Sequence, residues 1–120
     1  MNNGAGAVLP EVRPASPLDY VRRNLSDPAL TTATIARATG LSPRGVQKSF
    51  ARQINQTPTA YISEQRLARA ATLLSAAGKR SVTDVAYEVG FNDSAFFTRC
   101  FRSRYGMTPR DWRARGSTAG

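Results

Sequence analysis

The chain has 120 residues, room for one domain or two very small ones. Lys and Arg number 17 against eight Asp and Glu, a formal net charge of +9, and there is no histidine. That absence excludes Ser/His/Asp and Cys/His triads, the common zinc sites and imidazole proton shuttles, and the lone Cys100 excludes an intrachain disulfide or a cysteine metal motif. Paired carboxylates and a Gly-rich phosphate loop are also missing, so neither enzyme chemistry nor a cofactor is expected. A hydrophobic fraction of 41% is enough for a core. No apolar run approaches the roughly 18 residues of a membrane span, and the N-terminus has no signal-peptide pattern. The expectation is a small basic protein, cytoplasmic, with an anionic partner.

Residues 1–16, rich in Gly, Ala, Asn and Pro, read as a flexible arm or linker and are net neutral, so the whole +9 lies on residues 17–120. Leu18, Val21 and Leu25 predict a first helix over about 18–26, stopped before Pro28. Thr31 is an N-cap for a short helix ending at Gly40, with Leu30 and Ile35 spaced as a hydrophobic staple. Ser42-Pro43 opens a third helix whose apolar stripe is Val46, Phe50 and Ile54, and Leu41 and Val46 are spaced for a second staple. Gly45 weakens this helix by about 1 kcal/mol; it reads either as an opening for a phosphate to approach the backbone or as a tolerated weakness. Thr57-Pro58 starts a long helix over about 58–77, ending at Gly78 and burying Leu67, Ala70, Ala71 and Leu74. Ser81 begins a capping box with Asp84 ahead of a short helix ending at Gly90. Asp93 caps a sixth helix carrying Phe97, Phe101 and Tyr105. Thr108-Pro109 starts a seventh, with Trp112, and residues 117–120 read as a frayed tail. The aromatics at helical spacing are assigned to the core, Cys100 to a small filler, and Arg66 and Arg69 to structural or solvated roles.

The chain repeats itself. Ala36, Gly40 and Leu41 return as Ala86, Gly90 and Phe91 at an offset of 50; Phe50, Thr57-Pro58 and Tyr61 return as Phe101, Thr108-Pro109 and Trp112 at an offset of 51. Each copy is a short helix, a Gly turn and a longer helix, the pattern of a helix-turn-helix unit, here about 32–54 and about 82–105. A connecting helix of about 20 residues is roughly 30 Å long, close to the roughly 34 Å of one turn of B-DNA. This points to two recognition helices in successive major grooves, read by one monomeric chain.

The outward faces fit that partner. Opposite Val46, Phe50 and Ile54 lie Arg44, Lys48 and Ala51, flanked by Gln47 and Arg52. The matching face of the later helix carries Ala95, Arg99 and Arg102, flanked by Thr98 and Ser103. Arg and Lys suit guanine edges, Gln suits adenine, and Thr suits a thymine methyl. Flanking Arg52, Arg102 and Arg104 would hold phosphates, as would the backbone N–H groups at the Thr31, Ser42, Ser81 and Asp93 helix starts.

Several segments resemble the C-terminal DNA-binding domain of the AraC/XylS family of bacterial transcription regulators. They are Ile35-Ala36 to Gly40-Leu41-Ser42-Pro43-Arg44; Tyr61-Ile62 with Arg66-Leu67, Ala70 and Leu73-Leu74; and Val82 to Ala86 through Gly90-Phe91-Asn92-Asp93, Phe96-Phe97, Arg99, Phe101, Gly106 and Thr108-Pro109. The resemblance covers about residues 17–115, giving a domain of 17–116. It implies an all-α, seven-helix bipartite fold with two helix-turn-helix subdomains joined by a long helix, and sequence-specific binding of double-stranded promoter DNA in the bacterial nucleoid. It also implies base contacts from the positions that fall on Arg44, Gln47, Lys48, Ala95, Thr98 and Arg99. Two positions depart from the pattern: Asn55 stands where Gly is usual, and Ala95 has no polar group to read with. The family's usual sensor domain is not in these residues, which suggests a fragment of a longer regulator; a small stand-alone regulator is the alternative. A basic RNA-binding module and an RNA-polymerase-interacting module also remain open.

Overall fold

The structure, a computed structural model, describes residues 16–76, 78 and 80–119, with side chains through residue 116. Among the described residues there are seven α-helices and no strand: α1 Pro17–Arg23, α2 Thr32–Thr39, α3 Pro43–Ile54, α4 Pro58–Ser75, α5 Val82–Glu88, α6 Ser94–Tyr105 and α7 Pro109–Ala119. The chain divides into two compact units. Among the described residues, one comprises 16–24 and 29–61, and the other 25–28 and those from 62 onward.

Side-chain oxygens start most of these helices where the caps were expected. Ser42 Oγ accepts the Gly45 N–H at 3.0 Å, Thr57 Oγ1 that of Ala60 at 3.1 Å, Ser81 Oγ that of Asp84 at 2.9 Å and Thr108 Oγ1 that of Asp111 at 3.1 Å. Each such bond satisfies one of the N–H groups a helix start leaves unpaired. The reciprocal capping box forms at Thr31 and Thr34, whose hydroxyls each accept the other's backbone N–H, at 3.2 and 2.9 Å.

The repeat in the sequence is a repeat in the packing of each unit. Leu41 N–H donates to Ala36 O at 3.1 Å, and Phe91 N–H to Ala86 O at 3.0 Å, the same helix-closing bond five residues back. In the first unit Ile35, Ala36, Val46 and Phe50 are buried; in the second, Val85, Ala86, Phe97 and Phe101 hold the corresponding places. Phe50 meets Tyr61 with ring centroids 5.8 Å apart, and Phe101 meets Trp112 at the same 5.8 Å. The two polar aromatic ends differ. The Tyr61 hydroxyl accepts from Arg22 Nε at 3.3 Å, whereas Trp112 Nε1 donates to Ala71 O and Ser75 Oγ, both at 3.0 Å. Leu67, Ala70, Ala71 and Leu74 of α4 complete the second core.

Several boundaries differ from the sequence reading. Ser16, placed in the arm, is the N-cap of α1, its Oγ accepting the Asp19 N–H at 3.1 Å; the rest of the arm lies outside the described residues. Helix α1 stops at Arg23 rather than 26: Asn24 leaves helical geometry, at φ −122° and ψ 24°, and its side-chain N–H donates to Tyr20 O at 2.9 Å. Helix α4 ends at Ser75, short of the expected 77, and residue 77 itself lies outside the described residues. Helix α7 continues through Ala119, so residues 117–119 are helical where a frayed tail was expected. Of the second staple pair, Val46 is buried while Leu41 is 43% exposed. Asn55 does take the left-handed conformation that its place requires, at φ 56° and ψ 38°, and its N–H donates to Ala51 O at 3.0 Å.

Candidate nucleic-acid interface

Helix α3 buries Val46, Ser49 and Phe50, and this fixes which residues face outward. Arg44, Gln47, Lys48 and Arg52 are all exposed, and no acid lies between Ser42 and Asn55. The cap residues Thr31 and Ser42 are exposed as well, each with its side-chain oxygen already occupied by its own helix start. Helix α6 buries Phe97 and Phe101 and leaves Ala95, Arg99 and Arg102 exposed, with Thr98 half-buried beside them. It contains no acid; Asp93, just before it, has Oδ1 accepting the Ala95 and Phe96 N–H groups at 2.8 and 3.2 Å. The cap thus neutralises part of the helix start and leaves the rest of α6 cationic.

Three side chains on or near this second face have internal engagements. The Thr98 hydroxyl donates to Ser94 O at 2.9 Å, so its methyl and its lone pairs are what it can offer a partner. Arg104 differs from Arg102: its Nη2 lies 3.0 Å from Glu64 Oε2, and its guanidinium stands 6.0 Å from the Tyr105 ring. The Arg99 guanidinium lies 5.6 Å from the centroid of the exposed Phe96. Beside α6, an open groove of about 590 Å³ is lined by Ser81, Thr83, Thr98, Thr108, Arg110 and Arg113. The sequence reading assigned no role to Arg110 and Arg113; the signal available was their place in the first turns after Thr108-Pro109.

Arg66 is not part of either face. It is buried, its Nε donating to Leu25 O at 2.9 Å and its Nη2 to Asp27 O at 2.8 Å, with the Phe91 ring 5.9 Å away. Burial pulls its pKa below the ordinary arginine value, with the Asp27 charge opposing. The Cys100 thiol is pushed up by burial, with Arg99 pulling it down. Among the described residues no cluster of His, Cys, Asp and Glu can hold a metal ion, and no helix is long and apolar enough to cross a membrane.

Comparison with known proteins settles what kind of domain carries these faces. The family model described as "Helix-turn-helix domain" matches residues 35–115. The chain belongs to this family. It falls within the AraC type. The transcriptional activator RhrA of Rhizobium meliloti is 39% identical over 111 residues, covering 92% of this chain and 35% of RhrA. A probable AraC family transcriptional regulator from Rhodopseudomonas palustris is 30% identical, with a TM-score of 0.72 over 84% of this chain and 94% of that one. A Chromobacterium violaceum regulator, titled as AraC-type and DNA-binding-domain-containing, is 28% identical with a TM-score of 0.72, covering 97% of this chain and 99% of that one. The AraC-type chain spans about a third of the length of the curated relatives it matches.

Proposed function

We propose that this AraC-type domain reads double-stranded promoter DNA with two helices, α3 and α6, as part of a transcription regulator of the activator kind. The observation that carries the reading is the pair of acid-free, arginine- and lysine-bearing outward faces, one on each copy of a duplicated core. Such a face is cationic along its length and apolar behind, which suits a helix lying in a major groove.

In this reading Arg44, Gln47 and Lys48 on α3, and Ala95, Thr98 and Arg99 on α6, face base edges. Ala95 offers a methyl for van der Waals contact with thymine, and Arg99 supplies the polar readout of the second motif. Phosphates are held by Arg52 and Arg102 and by the backbone N–H groups around the Thr31, Ser42 and Ser81 helix starts. Arg110 and Arg113 join this set because they line the groove beside Thr98. Arg104 contributes less, because Glu64 already neutralises it.

In-vitro selection of duplexes by this chain, followed by footprinting, tests the proposal. The expected result is a site with two protected patches in major grooves, centred about 10 base pairs apart. Recovery of no sequence preference, or equal binding of structured RNA at fixed salt, defeats it.

A further inference from the structure

Phe96 is 49% exposed on a helix whose other phenylalanines, Phe97 and Phe101, are fully buried. It lies three residues before Arg99, so both side chains project from neighbouring positions on one side of α6. The Arg99 guanidinium stands 5.6 Å from the Phe96 ring centroid. Behind it the ring is braced. The Phe91 centroid is 6.1 Å away, and Phe91 itself meets the buried Phe97 edge-on at 5.1 Å. Phe91 also has the guanidinium of the buried Arg66 5.9 Å from its ring. An unbroken line of ring contacts therefore runs from the core of this unit out to Arg99.

We infer that Phe96 is a positioning residue that holds the Arg99 guanidinium for base readout. A free arginine side chain loses rotamer freedom when it binds. An arginine already held against a ring has given up part of that freedom while keeping N–H donors for a partner. With its guanidinium carbon 5.6 Å from the ring centroid, Arg99 keeps N–H donors for the O6 and N7 of a guanine. Phe96 thereby compensates for Ala95, which puts the polar readout of this motif on Arg99. The inference rests on the proposed reading of α6.

The test uses the full chain and the duplex recovered by in-vitro selection, with Phe96→Ala, Phe96→Leu, Phe96→Tyr, Arg99→Ala and the Phe96→Ala/Arg99→Ala pair. Phe96→Ala and Phe96→Leu are expected to weaken binding about two- to fivefold, the range for an exposed cation–ring contact. Phe96→Tyr keeps the ring and should bind as the parent does. The double variant should bind as Arg99→Ala alone, and a duplex changed at the Arg99-dependent base pair should show no Phe96 effect. An equal loss on removing Phe96 with or without Arg99, or full binding by Phe96→Leu, overturns the positioning role. If Arg99→Ala leaves base preference intact, the reading of α6 fails and the positioning role falls with it.

Discussion

A Cβ placed on Gly90 would stand 2.6 Å from Nε and 2.8 Å from Cζ of Arg66. The space beside Gly90 is taken by a guanidinium that cannot move away cheaply, because it is held by Leu25 O, Asp27 O and the Phe91 ring. Gly90 also has φ 112°, which side-chain-bearing residues rarely adopt. Both constraints act on the turn leading into α6.

Gly90→Ala is therefore expected to destabilise the protein by on the order of 3 kcal/mol, from overpacking and backbone strain together. Arg66→Ala should cost about 1–3 kcal/mol by leaving two carbonyls without their donor. The two costs should not add. With Arg66 truncated, the alanine at 90 meets open space, and only the backbone term remains. Denaturant unfolding of both single variants and the double variant measures the coupling; strict additivity would show that the guanidinium can step aside.

The helix starts were legible because they are local. Ser42-Pro43, Thr57-Pro58, Ser81, Asp93 and Thr108-Pro109 each place a cap acceptor within three residues of the N–H it satisfies. The two buried faces were legible for the same reason, since helical period and core repeat coincide in Val46 and Phe50 and again in Phe97 and Phe101. What escaped depends on partners far along the chain. Leu25 continues the apolar period of α1, yet it lies beyond the helix, and its carbonyl binds Arg66 41 residues away. Arg104 reads as a free cation until Glu64 is found beside it. Leu41 has the spacing of a staple and stays exposed, while its repeat counterpart Phe91, a larger ring with Phe96 and Phe97 against it, is buried. Phe96 was legible in principle, through its i, i+3 spacing to Arg99.

Asn55 occupies the left-handed position that closes α3, where its repeat counterpart is Gly106 at φ 77°. Asparagine tolerates this region and a β-branched residue does not. Asn55→Val should lower stability by about 1–2 kcal/mol, and Asn55→Gly should match or exceed the parent. Thermal unfolding of the two variants checks the ordering; a neutral Asn55→Val would show that the turn can adopt another conformation.

Gly45 lies in the first turn of α3, and a Cβ there would meet Ser42 Oγ at 3.4 Å and Leu41 Cβ at 3.5 Å, ordinary contact distances. Its N–H stays bonded to Ser42 Oγ whatever the side chain. Gly45→Ala should therefore raise stability by about 0.5–1 kcal/mol, the helix-propensity difference. A drop in the unfolding midpoint would mean that Leu41 or Ser42 cannot accept the methyl.

The Cys100 thiol is half-buried, and burial raises its pKa above the ordinary thiol value, against a smaller opposing effect of Arg99. The reactive species is the thiolate, so the sign is fixed: near pH 7 little of it is present, and alkylation should be slower than for a free cysteine. The rate should climb as pH rises past the range where a free thiol has already levelled off. Arg99→Ala should slow it further by removing the one favourable charge. Iodoacetamide labelling followed by mass spectrometry across pH reads both effects, and fast labelling at neutral pH would contradict the burial of the sulfur.

Base readers and phosphate holders should separate by how they respond to sequence and salt. Lys48→Ala and Arg99→Ala are expected to weaken binding to the selected duplex by about 1–3 kcal/mol each and to relax preference at one base position each. Arg102→Ala should weaken every sequence alike and flatten the dependence of log K on log salt by about 0.9. Arg104→Ala should flatten it less, because the Glu64 carboxylate 3.0 Å away already offsets its charge. Glu64→Gln should release that charge and steepen the slope. Fluorescence anisotropy titrations at several salt concentrations, on the selected duplex and on a scrambled one, give these slopes for the parent and each variant. If Arg102→Ala and Arg99→Ala changed the same quantity, the division of the α6 face into a reading edge and a holding edge would not stand.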